Sequence, residues 1–205
     1  EGMLVVRQLI GEGINVNVTL LFSLEAYHNA RQAYLGGLED LKANGGDLAG
    51  VASVASFFVS RVDTSVDSLL GDRAPGLAGR AAIANAKLAY RDFQREFSSA
   101  RFEALREAGA RVQRPLWAST GVKNPAYSDV LYVESLIGQD TVNTMPEATL
   151  LAFVDHGTAG NTIVSDVGEA ARLLEEVAAA GVSMDEVTSE LLSNGVKLFS
   201  DSFDE

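Results

Sequence analysis

The stretch GINVNVTLLFS, Gly13 to Ser23, decides the fold of this chain because its first half alternates as a β-strand does. Its apolar residues fall on one side of the strand, and three polar residues fall on the other: Asn15, Asn17 and Thr19. The alternation stops after Thr19, where the chain becomes continuously apolar as far as Phe22. A strand so apolar at its end needs a reason for its polar face, and the neighbouring segments provide one.

Strand-like and helical segments alternate along the whole sequence. Four segments read as strands: 14–21, 50–58, 114–120 and 141–146. Helical patterns cover 2–11, 23–41, a segment from Thr64 to a break near 71–76, 78–108, 127–138, and three helices within 147–205, the last with a capping box at Ser183 and Glu186. Four buried strands separated by helices predict an α/β fold with a parallel sheet or barrel. A complete (β/α) barrel has eight strands, and this chain shows four.

Polar residues stand where the predicted strands end. In a (β/α) barrel these positions form the active site, because the carboxyl ends of all strands meet at one face. The residues concerned are Asn17 and Thr19, Ser56 and Arg61, Ser119 and Lys123, and Asn143 and Thr144. There is no GxGxxG motif and no Walker-type loop, so the nucleotide-binding α/β folds are less favoured.

The composition narrows the class of protein. The 205 residues are 47% apolar and 21% charged, as in an ordinary globular domain, and the formal net charge is −12. So acidic a chain repels nucleic acid and anionic membranes, and we expect neither as a partner. There is no cysteine and no apolar window of membrane-spanning length, and we expect a cytoplasmic protein. His28 and His156 are isolated from other ligand-type residues, so no metal site is expected.

Two of the polar positions leave alternatives open. Asn17 and Thr19 are two residues apart and can converge on one ligand, or they can pair with each other inside a barrel. Arg61 follows an apolar strand and can bind a phosphate through its planar fork, or it can form an ion pair with Asp63 or Asp67.

Lys123 is the only lysine in a strand-end loop, since Lys42, Lys87 and Lys197 lie in helical patterns. It can act as a Schiff-base nucleophile or as a phosphate ligand. The alternative is a surface lysine beside an Asn-Pro turn, because loops are usually exposed.

Four consecutive segments together resemble the transaldolase family. They are GINVNVTLLFS, VASVASFFVSRVDT, LWASTGVKNPAYSD and DTVNTMPEATLLAFVDHG, and they occur in the family's order across essentially the whole chain. The set is most similar to the longer bacterial transaldolases, some of which are fused to a phosphoglucose isomerase domain.

The resemblance implies a (β/α)8 TIM barrel and class I aldol chemistry without a metal or organic cofactor. It implies transfer of a dihydroxyacetone unit from sedoheptulose 7-phosphate to glyceraldehyde 3-phosphate in the pentose phosphate pathway. A lysine amine forms a Schiff base with the ketose, and this Schiff base accepts the electrons of the broken C–C bond.

The resemblance also implies roles for single residues. Asn17 matches the asparagine that binds the donor's hydroxyls, and Thr19 matches the threonine that positions the catalytic water. Ser56 and Phe58 match the residues that line the dihydroxyacetone pocket, and Arg61 matches an arginine that holds the substrate phosphate. Lys123 falls where many members carry a second phosphate-binding arginine, after a slightly longer loop, which favours anion binding over the nucleophile role.

The family's Schiff-base lysine has no counterpart in this chain. In the family it lies on the fourth strand, just before a Glu-Gly pair like Glu1 and Gly2. The resemblance therefore implies that residues 1–205 correspond to the C-terminal half of the barrel, strands five to eight with the terminal helices, truncated at both ends. The missing N-terminal half then supplies the lysine and the carboxylates for proton transfer.

Three interpretations follow from this departure. The chain is the C-terminal part of an ordinary transaldolase, or it is a half-barrel completed by a second copy or another chain. The third is a non-catalytic protein that binds sugar phosphates or acts as a scaffold. A fructose 6-phosphate aldolase-like enzyme is a further alternative, because fold alone does not determine the reaction.

Overall fold

The computed structural model describes residues 2–204, so Glu1, half of the predicted Glu-Gly landmark, and Glu205 lie outside the described residues. The helices are α1 (Gly2–Gly11), α2 (Leu24–Ala43), α3 (Ser60–Leu70), α4 (Ala81–Phe97), α5 (Ala100–Arg106), α6 (Leu131–Ser135), α7 (Glu147–His156), α8 (Val167–Ala179) and α9 (Met184–Asp204). The strands are β1 (Val16–Leu21), β2 (Ser53–Phe58), β3 (Arg114–Ala118) and β4 (Val142–Thr144). Two 3-10 turns, Gly71–Arg73 and Pro75–Leu77, separate α3 from α4.

The four strands form one parallel sheet in the order β1-β2-β3-β4. Each strand lies beside the next one along the chain, and at least one helix connects each pair. The predicted α/β class with a parallel sheet is therefore confirmed. A sequential order is consistent with the (β/α) barrels and differs from the doubly wound sheets, in which the order reverses at a switch point.

A β-bulge explains why the alternation of β1 stops. Val18 pairs with Ala55 and Leu21 pairs with Phe57, so β1 uses three residues where β2 uses two. The extra residue lies at Leu20, whose φ is +58°, a conformation that a branched side chain seldom adopts. Leu20 and Leu21 are both buried as a result.

The core lies between the sheet and the helices that follow its strands. Phe57 of β2 makes edge-on contacts with Tyr27 of α2, at 5.8 Å between ring centroids, and with Trp117 of β3, at 6.0 Å. The buried Asn85 of α4 donates a hydrogen bond of 2.8 Å from Nδ2 to the carbonyl of Phe22, just after β1. This bond fixes α4 relative to the carboxyl end of β1.

The helix predicted to begin at Thr64 begins at Ser60. The amides of Val59 and Ser60 donate to the carbonyls of Ala118 and Ser119, both at 2.9 Å, so the pairing with β3 continues up to the first residue of α3. The prediction was wrong because Ser60 and Asp63 are polar yet buried. The buried face of the first turn of α3 therefore shows no apolar periodicity in the sequence. Arg61 consequently lies in the first turn of a helix rather than at the end of a strand.

The long helix predicted for 78–108 is two helices, α4 and α5. Ser98 Oγ donates to the carbonyl of Gln94 at 2.7 Å, and Ser99 Oγ caps α5 by accepting from the amide of Phe102 at 3.3 Å. The apolar pattern continues across the break, since Phe97 and Phe102 pack with ring centroids 4.8 Å apart. Periodicity alone therefore concealed the break.

The other predicted elements are present with shorter bounds in several cases. The helix predicted for 127–138 is limited to Leu131–Ser135, and the second strand begins at Ser53 rather than at residue 50. Three helices follow β4 within residues 147–204, as predicted. The serine half of the last capping box is confirmed, since Ser183 Oγ accepts from the amide of Glu186 at 3.3 Å.

Candidate functional site

The register of the sheet places the predicted polar residues on one face. Asn17 pairs with Val54, two residues before Ser56, while Phe58 pairs with Ala118. Paired residues of neighbouring strands point to the same side, and residues two apart share a face. Asn17, Ser56 and Phe58 therefore share the face opposite the helix layer.

A hydrogen bond joins the first two predicted residues. Ser56 Oγ donates to Asn17 Oδ1 at 2.7 Å, and Ser56 is buried whereas Asn17 is exposed. Within residues 2–204 Asn17 Nδ2 donates no hydrogen bond, so its two donors remain for a ligand on the open side of the sheet. A sugar hydroxyl is one group that such donors bind.

Thr19 lies on the exposed face of β1, immediately before the bulge at Leu20. Within residues 2–204 its hydroxyl takes part in no side-chain hydrogen bond, and Asn17 bonds to Ser56 rather than to Thr19. The alternative in which Asn17 and Thr19 pair with each other is therefore not the arrangement that the structure contains.

Arg61 is directed towards the same region. Its Cζ lies 5.2 Å from the ring centroid of Phe58, a cation–π contact that connects the start of α3 to the end of β2. No carboxylate oxygen of the described residues lies within 4.0 Å of the Arg61 guanidinium, so the alternative ion pair with Asp63 or Asp67 is absent there.

Lys123 lies elsewhere, exposed in the loop between β3 and α6. It lines a cavity of about 230 Å³ together with residues of α3, of its own loop and of α6: Asp63, Thr64, Asp67, Asn124, Tyr127 and Tyr132. Arg61 does not line this cavity. The structure thus brings together Asn17 with Ser56 and Phe58 with Arg61. It places Lys123 beside α3, in a cavity that Arg61 does not line.

The residues around Lys123 were missed as site residues by the sequence reasoning. Asp63 is 1% exposed, its Oδ1 accepts from the amide of Ala82 at 2.7 Å, and its Oδ2 has no partner in the described part of the chain. Burial raises the pKa of Asp63 to about 6, against which the Ala82 amide and the nearby Tyr132 hydroxyl act. The signal for this cluster was present, since Asp63 and Asp67 are four apart on α3 and so share a face.

The residues at the ends of β3 and β4 do not all lie on the face of the sheet that carries Asn17 and Ser56. Ser119 has a φ of +56°, and its Oγ lies 3.0 Å from Ser60 Oγ at the start of α3. Thr144 pairs with Ala118 and shares its face, but Asn143 pairs with Trp117 on the helix side and accepts from Thr120 Oγ1 at 2.7 Å. The prediction that Asn143 joins the site with Thr144 was wrong, because adjacent residues of a strand point to opposite faces.

The remaining features carry no site chemistry. His156 is the last residue of α7, and its Nε2 lies 2.9 Å from Asp129 Oδ1, a contact that raises the pKa of the imidazole together with a second one to Asp155. Residues 2–204 contain no group of three His, Cys, Asp or Glu side chains placed to hold a metal ion. None of the helices within that range has the length and apolar character needed to cross a membrane.

The fold and the site define the class of the protein. A sequential parallel sheet with polar side chains on the face opposite its helices is consistent with the (β/α)-barrel enzymes. The family model described as Transaldolase/Fructose-6-phosphate aldolase matches residues 1–205. The chain belongs to this family, and the resemblance inferred from its motifs is confirmed.

Curated relatives agree over the whole chain. A transaldolase of Saccharopolyspora erythraea is 50% identical over 208 residues, covering 100% of this chain and 57% of that protein. Transaldolase 1 of Streptomyces coelicolor is 54% identical over 209 residues, covering 100% of this chain and 55% of that protein. A transaldolase of Thermobifida fusca is 50% identical over 210 residues, covering 100% of this chain and 57% of that protein. The chain therefore spans a little over half the length of these relatives.

Proposed function

We propose that the full-length protein carrying this chain is a transaldolase. It transfers a dihydroxyacetone unit from sedoheptulose 7-phosphate to glyceraldehyde 3-phosphate, in the pentose phosphate pathway of the cytoplasm. The observation that carries the proposal is the hydrogen-bonded pair Asn17–Ser56, with Arg61 held over Phe58, on the face of the parallel sheet opposite the helices. Relatives about 50% identical over the entire chain are named transaldolase, which supports the same reaction here.

In this proposal the chain provides strands five to eight of a (β/α)8 barrel. The sequential parallel order of β1 to β4 supports it, as does the coverage of 57% of the relative from S. erythraea. The segment supplying strands one to four then covers the exposed face and pairs with β1 and β4, which are the outer strands of the described sheet.

Each site residue has a separate task. The Asn17 amide, oriented by Ser56, donates to the hydroxyls of the dihydroxyacetone unit, while Phe58 forms the apolar wall beside it. Arg61 binds the substrate phosphate as a fork, and Lys123 contributes a second positive charge. Thr19 positions the water that adds to and leaves the Schiff base.

The covalent step uses a lysine outside this chain. Its neutral amine adds to the ketose carbonyl and water leaves, which gives a protonated Schiff base. The C3–C4 bond then breaks, its electron pair enters the iminium to form an enamine, and the C4 hydroxyl loses its proton as the aldehyde product departs. Addition of the enamine to the acceptor aldehyde reverses these steps.

Borohydride trapping tests the proposal. Full-length protein is incubated with fructose 6-phosphate and sodium borohydride, and its intact mass is measured beside that of the isolated chain. We expect the full-length protein alone to gain one reduced dihydroxyacetone unit, on a peptide outside this chain. Binding of fructose 6-phosphate without any trapped adduct would refute the proposed transaldolase activity. The alternative of a non-catalytic protein that binds sugar phosphates would then remain.

A second assay separates transfer from simple aldol cleavage, a reaction named in the description of the family model. Fructose 6-phosphate is supplied with and without erythrose 4-phosphate as the acceptor. A transaldolase retains the dihydroxyacetone unit until the acceptor is added. Steady release of free dihydroxyacetone without an acceptor would assign the fructose 6-phosphate aldolase activity instead.

A further inference from the structure

The loop that carries Lys123 is fastened to α3 by one tyrosine. Tyr127, four residues after Lys123, donates a hydrogen bond of 2.8 Å from its hydroxyl to Asp67 Oδ2. The other oxygen of Asp67 accepts from the amide of Gly79 at 2.9 Å. A single carboxylate on α3 therefore holds both the Lys123 loop and the segment that leads into α4.

Gly79 completes this contact for two reasons. Its φ is +70°, a conformation that residues with a side chain rarely adopt, and a Cβ at this position would lie 2.7 Å from Tyr127 Cζ. The Tyr127 ring thus packs directly on the glycine backbone. Ring packing on Gly79 and the hydrogen bond to Asp67 together fix where the Tyr127 hydroxyl lies.

The contact is suited to act as a permanent anchor. Burial first, and then the hydrogen bond to Asp67, raise the pKa of the Tyr127 hydroxyl to about 12, so this group remains a donor near neutral pH. Lys123, Asp67 and Tyr127 line one cavity, and Arg61 lies in the first turn of the same helix, six residues before Asp67.

We propose that Asp67 and Tyr127 are positioning residues that hold the Lys123 loop against α3, so that the Lys123 ammonium is in place to bind an anionic group of the substrate. The inference rests on the proposed function, because it takes Lys123 to be an anion ligand. Neither positioning residue touches the substrate. They influence substrate binding only by setting the position of Lys123.

A double-mutant cycle in the full-length enzyme tests this arrangement. The proteins are Tyr127→Phe, Lys123→Ala and the double variant, and the readouts are kcat, KM for fructose 6-phosphate and the inhibition constant of inorganic phosphate. Tyr127→Phe removes one hydrogen bond and keeps the ring, so we expect KM and the phosphate inhibition constant to rise about threefold to tenfold. We expect kcat to change by less than about twofold, since uniform binding is lost.

The decisive result is the coupling with Lys123. If Tyr127 acts only by placing Lys123, adding Tyr127→Phe to Lys123→Ala causes no further increase in either constant. Equal fold-changes in the presence and absence of Lys123 would overturn the proposal, as would unchanged constants in the Lys123→Ala variant. The same cycle is repeated with Asp67→Asn in place of Tyr127→Phe, and circular dichroism checks that this variant is folded.

Tyr90→Phe is the matched control. Tyr90 is buried, whereas Tyr127 is half-buried, and it likewise donates one hydrogen bond from its hydroxyl, 3.0 Å long, to the carbonyl of Gln139 outside the proposed site. We expect its removal to leave KM and the phosphate inhibition constant unchanged. A wild-type enzyme that neither traps fructose 6-phosphate nor turns it over would refute the proposed function itself, a result distinct from failure of the cycle in an active enzyme.

Discussion

At the scale of single residues, the site depends on a short hydrogen bond between neighbouring strands. Ser56 is buried, and its only side-chain hydrogen bond within residues 2–204 goes to Asn17 Oδ1. This bond decides which end of the Asn17 amide faces the open side of the sheet, since Ser56 holds the oxygen and the two Nδ2 donors stay available.

Replacing Ser56 should therefore weaken binding of the ketose. In the full-length enzyme, Ser56→Ala is expected to raise KM for fructose 6-phosphate by about threefold to tenfold, because the Asn17 amide loses its partner and can rotate. Ser53→Ala is the matched control: Ser53 lies on the same strand but bonds to the carbonyl of Val16 at 2.7 Å and to Gln113. Equal KM values for the two variants would contradict the role given to Ser56.

Asp63 should make the stability of the fold depend on pH. Burial raises its folded-state pKa from the ordinary 3.8 to about 6. Well below pH 4 the carboxyl is protonated in both states, and as the pH rises through 4 to 6 the unfolded form ionises first, so this stabilising contribution is lost. In Asp63→Asn this loss is absent, and the wild-type free energy of unfolding should fall relative to the variant by about 2 kcal/mol between pH 4 and 7.

Urea unfolding of the full-length protein and of Asp63→Asn at pH 4, 5, 6 and 7 measures this difference. Asp72→Asn, which changes an exposed carboxylate in the turn after α3, is the control and should follow the wild-type curve. Parallel pH profiles for wild type and Asp63→Asn would show that Asp63 ionises alike in the folded and unfolded states.

At the scale of elements, α1 and α2 pack closely because a glycine lies at their contact. A Cβ on Gly37 would lie 2.6 Å from the carbonyl oxygen of Arg7 and 2.6 Å from Ile10 Cβ. Arg7 and Asp40 also connect the two helices by a salt bridge of 2.6 Å, but this pair is exposed and contributes little. The closeness of the two backbones is thus the main feature of this contact.

We expect Gly37→Ala to lower the free energy of unfolding by about 1–3 kcal/mol, because backbone and a buried side chain must move apart. Gly36→Ala is the comparison, since its Cβ would meet only the flexible side chain of Arg7 at 3.2 Å. Alanine favours the helix by up to about 1 kcal/mol over glycine, so this neighbour should be neutral or stabilising. Thermal unfolding measures the stability of both variants. Equal stabilities would show that the close approach of α1 to Gly37 does not exclude a side chain.

At the scale of the whole molecule, the described residues leave apolar and unpaired surface open. β1 and β4 are the outer strands of the sheet. Along α9 four exposed side chains repeat at helical spacing: Leu192, Val196, Phe199 and Phe203. Unpaired strand edges and apolar stripes promote association unless something covers them.

Expressed alone, the chain should therefore self-associate. Light scattering after size-exclusion chromatography should give a mass above the 21.7 kDa of one chain. Adding the polypeptide that corresponds to the rest of the relatives' length should replace this species by a one-to-one complex. A monomer that binds no hydrophobic dye would contradict the expectation, and Phe199→Glu with Phe203→Glu tests whether α9 or the strand edges drive association.

The sequence by itself determined the class of fold, the family and the positions of the polar residues. Period-two and helical patterns depend on neighbours a few residues apart, so β1 to β4 and the alternation with helices could be read directly. Asn17, Ser56, Phe58 and Arg61 could likewise be proposed as site residues from the motifs alone, because short motifs preserve residue spacing.

Only the tertiary structure decided which of these residues meet. The bulge at Leu20, the early start of α3 at Ser60, the burial of Asp63 and the anchoring of the Lys123 loop through Tyr127 all depend on pairing between distant segments. Tyr127 and Asp67 are 60 residues apart and carry no mutual pattern in the sequence. Contacts of this kind follow from packing of the whole chain, which no local period encodes.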